Sequence, residues 1–589
     1  MFRDLREFIA ALEAKGDLVR IKAEVDPDQE ITIIQHKVLA AGGPALLFEN
    51  VKGSPYRLVS NLYGTPERVR MVFGRDPAEI GEEMAGLSEQ LMPPTPLKVW
   101  ANRGTIRKVF NSRMKTVRSG PVLETVCEPA NLNTLPVLKC WPLDGGPFFT
   151  LPLVHTADPE TGGGNLGIYR MQRYDDFSTG MHWQIEKGGG FHFKKAVALG
   201  QPLPISVALG GPPALTFAAI APLPEGIDER LLAALMLGRP LEVLHRKTTG
   251  HWVSSQVEFL IEGSVAPGDV RREGPFGDHL GHYSHSADFP VFRVDRVLAR
   301  KDAIYPATVV GKPPQEDFFI GNALQEMCVP LLKMMRPAVV DLWSYAETGF
   351  HPLAAMAVKQ RYGKEALKHA LGILGEGQLS LTKVLMVADD DVDVRDFHAV
   401  SRALREHLDP VDGVHLLAPT AQDTLDFTGP AINFGSRLLL LANKGKDSPL
   451  RPAPPPPPKP AEVHSGIRDM RAFGEGVLMV QVSKGWNRDE IQKSLEGHPV
   501  AKQYVLHVAV SGDVDIHDDM MALWGWFTRF DPYLDIHPAE RELRGNKLVM
   551  HLPLLIDATW KEGYRKPVEF DPEIEQRVND NWESYGIGI

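Results

Sequence analysis

The stretch NLGIYRMQRY, Asn165 to Tyr174, decides how the middle of this chain is read. Taken as one strand, it puts Leu166, Ile168, Arg170 and Gln172 on one face and Gly167, Tyr169, Met171 and Arg173 on the other. Each face mixes apolar with polar side chains, so a plain half-buried strand does not account for it. The amide of Asn165 and the guanidinium of Arg170 would stand about 17 Å apart along an extended chain. Around it, from 121 to 330, lie FTLPLVHTA, LPISVALGG, SSQVEFLIEGSV and FPVFRVDRVLA, short strand-like runs separated by Gly and Pro. Short strands at this spacing, with one or two helices, predict a barrel or sandwich.

The flanks differ in texture. Residues 1–120 alternate helix and strand signals. Leu5, Phe8, Ile9 and Leu12 form a helical stripe that stops at Gly16, and Thr65 and Asp76 are N-cap candidates, each followed by proline. This is an N-terminal α/β module. Residues 331–450 return to α/β with VPLLKMMRPAVVDLWSY, KVLMVADDDVDV and the helix RDFHAVSRALREHL. RPAPPPPPKP then opens a proline-rich linker, 451–462, expected as an exposed polyproline II spacer of roughly 3.1 Å per residue. Beyond it, VLHVAVSGDVDIHD from Val505 resembles VLMVADDDVDVRD from Val384. Asp393 precedes Pro410, and Asp515 precedes Pro532, by the same interval, and both intervals close on Asp-Pro. Residues 463–589 therefore read as a diverged second copy of the C-terminal module; the competing reading is a chance likeness between two common strand–helix units.

The whole chain of 589 residues has 43% hydrophobic and 24% charged residues and a formal charge of −11 that is spread rather than blocked. No basic stripe points to nucleic acid. The N-terminus enters a helix without a signal-peptide pattern, and no apolar run approaches the ~20 residues that span a bilayer. Cys127, Cys140 and Cys328 make neither a disulfide framework nor a thiolate zinc site. A soluble, reduced, cytoplasmic protein is expected.

Three clusters could carry chemistry. Asn165 with Arg170 is the first. The second is STGMHWQIEKGGG, with His182, Trp183, Gln184, Glu186 and Lys187 before three glycines that let a phosphate or flavin approach the backbone. It matches neither GxGxxG after a strand nor a P-loop. The third is REGPFGDHLGH, where Glu273 and Asp278 flank a Gly-Pro-Phe-Gly turn. Two such carboxylates suit acid–base work if burial raises one while an arginine holds the other ionised; the bland alternative is a solvated polar turn. Glu258 and Glu262 read as sheet-end carboxylates.

NLGIYR, GMHWQIEKGG, PLPEGIDE and EGPFGDH, in this order, resemble the UbiD family of decarboxylases, which use prenylated FMN. The likeness covers residues 1 to about 445 and ends near NFGSRLLLLANKG. It implies an α+β multidomain chain with a central split β-barrel of flavin-reductase type holding the cofactor and a C-terminal α/β module that mediates oligomerisation. By position it makes Arg170, Glu273 and Asp278 the catalytic triad, with Asp278, beside Phe276, as proton donor. Ile168, Tyr169, Arg170, His182, Trp183, Gln184, Lys187, Gly188 and Lys359 match cofactor contacts. Asn165 and Glu229 match metal ligands, and Glu186 stands where many members have a ligand histidine. An amide and two carboxylates favour Mn²⁺ or Mg²⁺ over zinc; K⁺ is a further candidate ion. The implied partners are a small aromatic carboxylic acid, a flavin prenyltransferase that supplies the cofactor, and further copies of the chain. The long chain looks most like members acting on 1,4-dihydroxy-6-naphthoate in menaquinone biosynthesis, with 4-hydroxybenzoate-type acids, polyprenylated ones included, close behind. Carboxylation is the allowed reverse. Rival classes are an ordinary-FMN oxidoreductase and a non-catalytic cofactor-binding subunit.

Overall fold

The computed structural model describes residues 1–91, 95–104, 106–107, 112–184, 187–223, 226–444 and 450–588. They form two compact units, Met1–Met327 with Lys566–Ile589, and Cys328–Arg565.

The first unit begins with helix Leu5–Ala14, whose predicted stripe is buried and whose N-cap, Asp4, accepts from the Glu7 amide. Thr65 Oγ1 accepts from Arg68 N at 3.3 Å and Asp76 Oδ1 from Ala78 N at 3.0 Å, so both expected caps are made. Strands Leu18–Val25, Ala45–Val51 and Arg57–Ser60 form a small sheet in that order. Its fourth strand, Ile304–Pro306, comes from far downstream, so the α/β module does not close within residues 1–120.

A nine-stranded sheet curls into a half-barrel at the centre of this unit. Its path runs Phe148–Phe149, Met171–Asp175, Ser178–Gly180, Ala287–Ala299, Phe259–Glu273, Leu203–Leu209, Leu153–Ala157, Gly164–Ile168, with Thr125–Cys127 also pairing on Ala287–Ala299. Every pairing is antiparallel. Here the single-strand reading of NLGIYRMQRY is corrected. Gly164–Ile168 and Met171–Asp175 are separate strands near opposite ends of the path, and Tyr169–Arg170 joins them. The mixed faces mark that crossing, and the 17 Å span of a continuous strand does not apply. Glu258 and Glu262 are buried and paired: Glu258 with Arg6 and Arg300 at 3.0 and 3.3 Å, Glu262 with Arg246 at 2.7 Å.

The second unit holds two five-stranded sheets built on one plan. The first runs Val339–Ser344, Leu353–Val358, Val384–Asp389, Phe434–Ala442, Val414–Ala421; the second runs Ile467–Phe473, Val477–Val482, Leu506–Val510, Lys547–Ala558, Ile536–Arg544. In both the successive pairings are antiparallel, parallel, parallel and antiparallel. Helix Phe397–His407 follows the third strand of one, and helix Asp519–Phe527 the corresponding strand of the other, capped by Asp396 and Asp518. Their apolar faces share one core: the Phe397 ring stacks on Phe473 at 5.0 Å and meets Trp526 edge-on at 5.8 Å.

Two expectations for this half change. The proline-rich segment is anchored rather than free: Arg451 donates to the Leu408 carbonyl at 2.9 Å and Tyr504 to the Pro455 carbonyl at 3.0 Å, and Pro460–Val463 is one helical turn with Pro460 first. The segment 463–589 is not one body either. From Lys566 on, the chain belongs to the first unit, because Val568, Val578, Tyr585 and Ile587 are buried in that unit's core.

Candidate functional site

Arg170 sits at the crossing between the two ends of the curled sheet, its side chain 8% exposed. Its three nitrogens serve three acceptors. Nε donates to Glu273 Oε1 at 3.2 Å, Nη1 to Asp278 Oδ2, and Nη2 to Ser284 Oγ at 3.0 Å. Glu273 ends the long strand Phe259–Glu273 and is wholly buried. Gly274, at φ +85°, then turns the chain, its amide held by Gln172 Oε1 at 2.8 Å. The turn delivers Asp278, whose Oδ1 accepts from both the amide and the ring Nδ1 of His279 at 2.7 Å.

The His182 ring Nδ1 lies 2.8 Å from Glu273 Oε1. Burial works to raise the Glu273 carboxyl, but His182 and Arg170 outweigh it and hold it below its ordinary value. Burial and the Arg170 charge together push the His182 imidazole down. Asp278 follows the same balance as Glu273: burial opposes ionisation, while Arg170 and His279 prevail and keep the carboxyl well below the usual range. The expectation that burial raises one carboxyl while an arginine holds the other ionised is corrected: with Arg170 shared between Glu273 and Asp278, both are held down. The Phe276 ring lies under Arg170, 4.9 Å from the guanidinium carbon, and against Phe148.

The second cluster meets the first at Asn165. The Gly-rich run opens helix Gly188–Ala198, and a Cβ on Gly188 would lie 2.1 Å from Asn165 Oδ1. Tyr169 OH accepts from Asn165 Nδ2 at 3.3 Å and from Gly189 N at 3.1 Å. A Cβ on Gly189 would strike Trp183 Nε1 at 2.6 Å, and that buried indole N–H has no hydrogen-bond partner among the described residues. Glu229 opens helix Glu229–Leu237 and accepts from the Leu166 amide at 2.8 Å, which sets it beside Asn165. Burial raises its carboxyl. The neighbouring Arg230 is spent on Asp228 at 2.5 Å, and no ion pair reaches Glu229 among the described residues.

Arg170, Glu273, Asp278 and His182 are thus brought together, as are Asn165, Tyr169, Trp183, Gly188 and Glu229. Gln184 touches His182 Nε2 at 3.5 Å, Ile168 ends its strand opposite Leu153, and Lys187 is the residue before the glycine helix. Glu186 lies outside the described residues. Lys359 belongs to the second unit, where it is exposed and 3.9 Å from Asp390. Two residues escaped the sequence reading. Ser284 braces Arg170 and also accepts from Phe276 N at 3.2 Å. Asp144 takes the amides of Cys140, Trp141 and Gly277 and is pushed by burial up to about 7 against those bonds. Its signal was the Asp-Gly-Gly run in WPLDGG, which as a sequence is only a turn.

Three segments match the N-terminal, Rift-related and C-terminal domains of the 3-octaprenyl-4-hydroxybenzoate carboxy-lyase family UbiD: residues 9–87, 115–313 and 318–442. The chain belongs to the UbiD family. It is 40% identical over 584 residues to a Chlamydia pneumoniae protein described as a component of 4-hydroxybenzoate decarboxylase, the match spanning 99% of this chain and 98% of that one. Among solved structures it resembles the vanillic acid decarboxylase of Sedimentibacter hydroxybenzoicus in its closed form, with TM-score 0.67 and 26% identity, covering 78% of this chain and 95% of that chain. It also resembles an evolved dimeric form of the UbiD-class enzyme HmfF from Pelotomaculum thermopropionicum in complex with prenylated FMN, with TM-score 0.63 and 25% identity, covering 75% and 95%. UbiD enzymes and these neighbours are carboxy-lyases.

The UbiD cofactor fits the residues present. The orphaned Trp183 N–H is a donor awaiting an acceptor, and the lack of side chains at Gly188 and Gly189 lets Asn165, Tyr169 and Trp183 pack directly against the start of the helix. The raised, unpaired Glu229 carboxylate beside the Asn165 amide is a donor set for a hard cation. No cluster of three or more His, Cys, Asp or Glu that could hold a metal occurs among the described residues. No helix among them is long and apolar enough to cross a membrane.

Proposed function

We propose that this UbiD-family chain catalyses the reversible, non-oxidative decarboxylation of a hydroxylated aromatic carboxylic acid, using prenylated FMN and Mn²⁺ or Mg²⁺. The observation that carries the reading is the buried Arg170 shared by Glu273 and Asp278. Prenylated FMN, when bound, supplies the electron sink that no side chain offers to an aryl centre losing CO₂.

The residues do the rest. Arg170 receives the substrate carboxylate, which competes with Asp278 for Nη1. Losing its guanidinium partner while a second anion arrives lifts the Asp278 carboxyl back towards and above its ordinary range. Asp278 then takes up a proton from solvent and delivers it to the ring carbon, which keeps the electron pair of the C–C bond broken as CO₂ departs. Glu273, retained by His182 and by Nε, fixes the plane of the guanidinium throughout. Asn165 and Glu229 would hold the divalent cation, with Glu186 as third ligand, and Tyr169, Trp183, Gln184, Lys187 and Gly188 would line the cofactor.

A 4-hydroxybenzoate-type acid is favoured as substrate, because the Chlamydia pneumoniae relative is described as acting on 4-hydroxybenzoate and the Sedimentibacter one on vanillic acid. 1,4-Dihydroxy-6-naphthoate is the other ring system to test. Self-association into at least a dimer is part of the proposal. The test is to co-produce the chain with a flavin prenyltransferase, record its absorption spectrum, and screen both acids for CO₂ release and for exchange of the ring proton with deuterium. Tightly bound ordinary FMN with no turnover of any aromatic acid would sink the proposal in favour of an oxidoreductase or a silent subunit.

A further inference from the structure

The loop that carries Asp278 is a small hairpin: Gly277 bridges Tyr283, Asp278 N donates to the His282 carbonyl at 3.1 Å, and Ser284 N to the Phe276 carbonyl at 2.8 Å. One edge of it is taken by the end of the chain. Val568 N donates to the Gly281 carbonyl at 3.0 Å, Tyr283 N donates to the Lys566 carbonyl at 3.0 Å, and His282 bridges Pro567. Residues 566–568 thus add to the hairpin as a further short strand.

Side chains back this up. A Cβ on Gly277 would lie 2.2 Å from Trp141 Cδ1 and 2.8 Å from Val568 Cγ1, so the residue preceding Asp278 is wedged between the two. Trp141 stacks on Phe570 with centroids 5.2 Å apart, and its Nε1 donates to the Val310 carbonyl at 2.9 Å. Downstream the tail is pinned by Lys37–Glu575 at 3.0 Å and by Tyr585 OH, which donates to Glu30 Oε1 at 2.7 Å.

We infer that Lys566–Phe570 is a positioning strap for the Asp278 hairpin, with Val568 its central positioning residue. Asp278 meets Arg170 only while the hairpin is held, and misplacing a reacting group by about 1 Å costs on the order of a hundredfold in rate. The kinetic half of this inference rests on the decarboxylase reading; its mechanical half does not.

The test uses the full-length holoenzyme. Val568→Pro deletes the N–H that reaches Gly281, Val568→Ala keeps it and removes packing, and Val568→Ile is the conservative control. Hydrogen–deuterium exchange of peptides spanning 277–284 is expected to quicken about tenfold or more in Val568→Pro. Its kcat should fall by about a hundredfold, with KM and cofactor absorbance within roughly threefold of the parent, while Val568→Ile behaves as the parent does. Unchanged exchange in the hairpin overturns the inference, and so does faster exchange with unchanged kcat. If Val568→Pro quickens exchange throughout the first unit, the same two criteria are applied to Val568→Ala. A parent enzyme inactive on every acid would sink the decarboxylase reading alone, with hairpin exchange still deciding the strap.

Discussion

Replacing Arg170 by lysine tests the centre of the mechanism without discarding its charge. The guanidinium meets Glu273, Asp278 and Ser284 with three separate nitrogens at a site that is 8% exposed. An ammonium is one point of charge on a flexible stem and cannot reach all three. Two contacts are therefore lost, and hydrogen bonds to charged groups contribute about 1.5–3 kcal/mol each. If both act while CO₂ leaves, the barrier rises by about 3–6 kcal/mol, a fall in kcat/KM on the order of 10²–10⁴. Steady-state CO₂ release, with cofactor content read by absorbance, measures it. Cofactor-replete Arg170→Lys within about tenfold of the parent would refute the idea that the shared guanidinium organises the step.

Asp278→Asn is expected to abolish turnover and ring-proton exchange while cofactor still binds. Its folded-state carboxyl is depressed, so the stability it contributes is fully present above the unfolded value of about 3.9 and is lost as pH falls through the folded one; Asp278→Asn should flatten the melting-temperature loss below about pH 4. Asn165→Ala is expected to lower metal content by elemental analysis, and cofactor absorbance with it; full loading would remove Asn165 from the metal site. Gly188→Ala puts a methyl 2.1 Å from Asn165 Oδ1, and cofactor loading should drop although the helix gains an alanine.

Much of this was legible along the chain because it is local. The stripe of Leu5, Phe8, Ile9 and Leu12, the caps at Thr65 and Asp76, and the spacing of Glu273 and Asp278 about a Gly-Pro turn are facts about neighbours in sequence. The triad and the Asn165 site needed family likeness, since residues about a hundred positions apart have no local signal of meeting. What escaped was set by tertiary structure. Alternation could not show that the chain leaves one end of a sheet at Ile168 and enters the other at Met171. Nothing in the spacing showed that one arginine would serve both Glu273 and Asp278, or that the Phe276 ring would lie under it. The likeness of the segments at Val384 and Val505 foretold matching strand–helix units, yet nothing in it marked Lys566 as the point where the chain leaves the second unit.

That departure has a consequence for biosynthesis. The first unit's core closes with Val578, Tyr585 and Ile587, on a segment that re-enters the unit at Lys566, about 240 residues after its main body stops at Met327. At elongation rates of about 5–20 residues per second, roughly 12–48 s pass between emergence of the two parts. A nascent chain therefore carries the Asp278 hairpin, with its tail edge uncovered, for most of a minute at the slow end. Cofactor capture that needs the finished site would then wait until residues 566–587 have emerged, and a ribosome stalled before them would leave the first unit open.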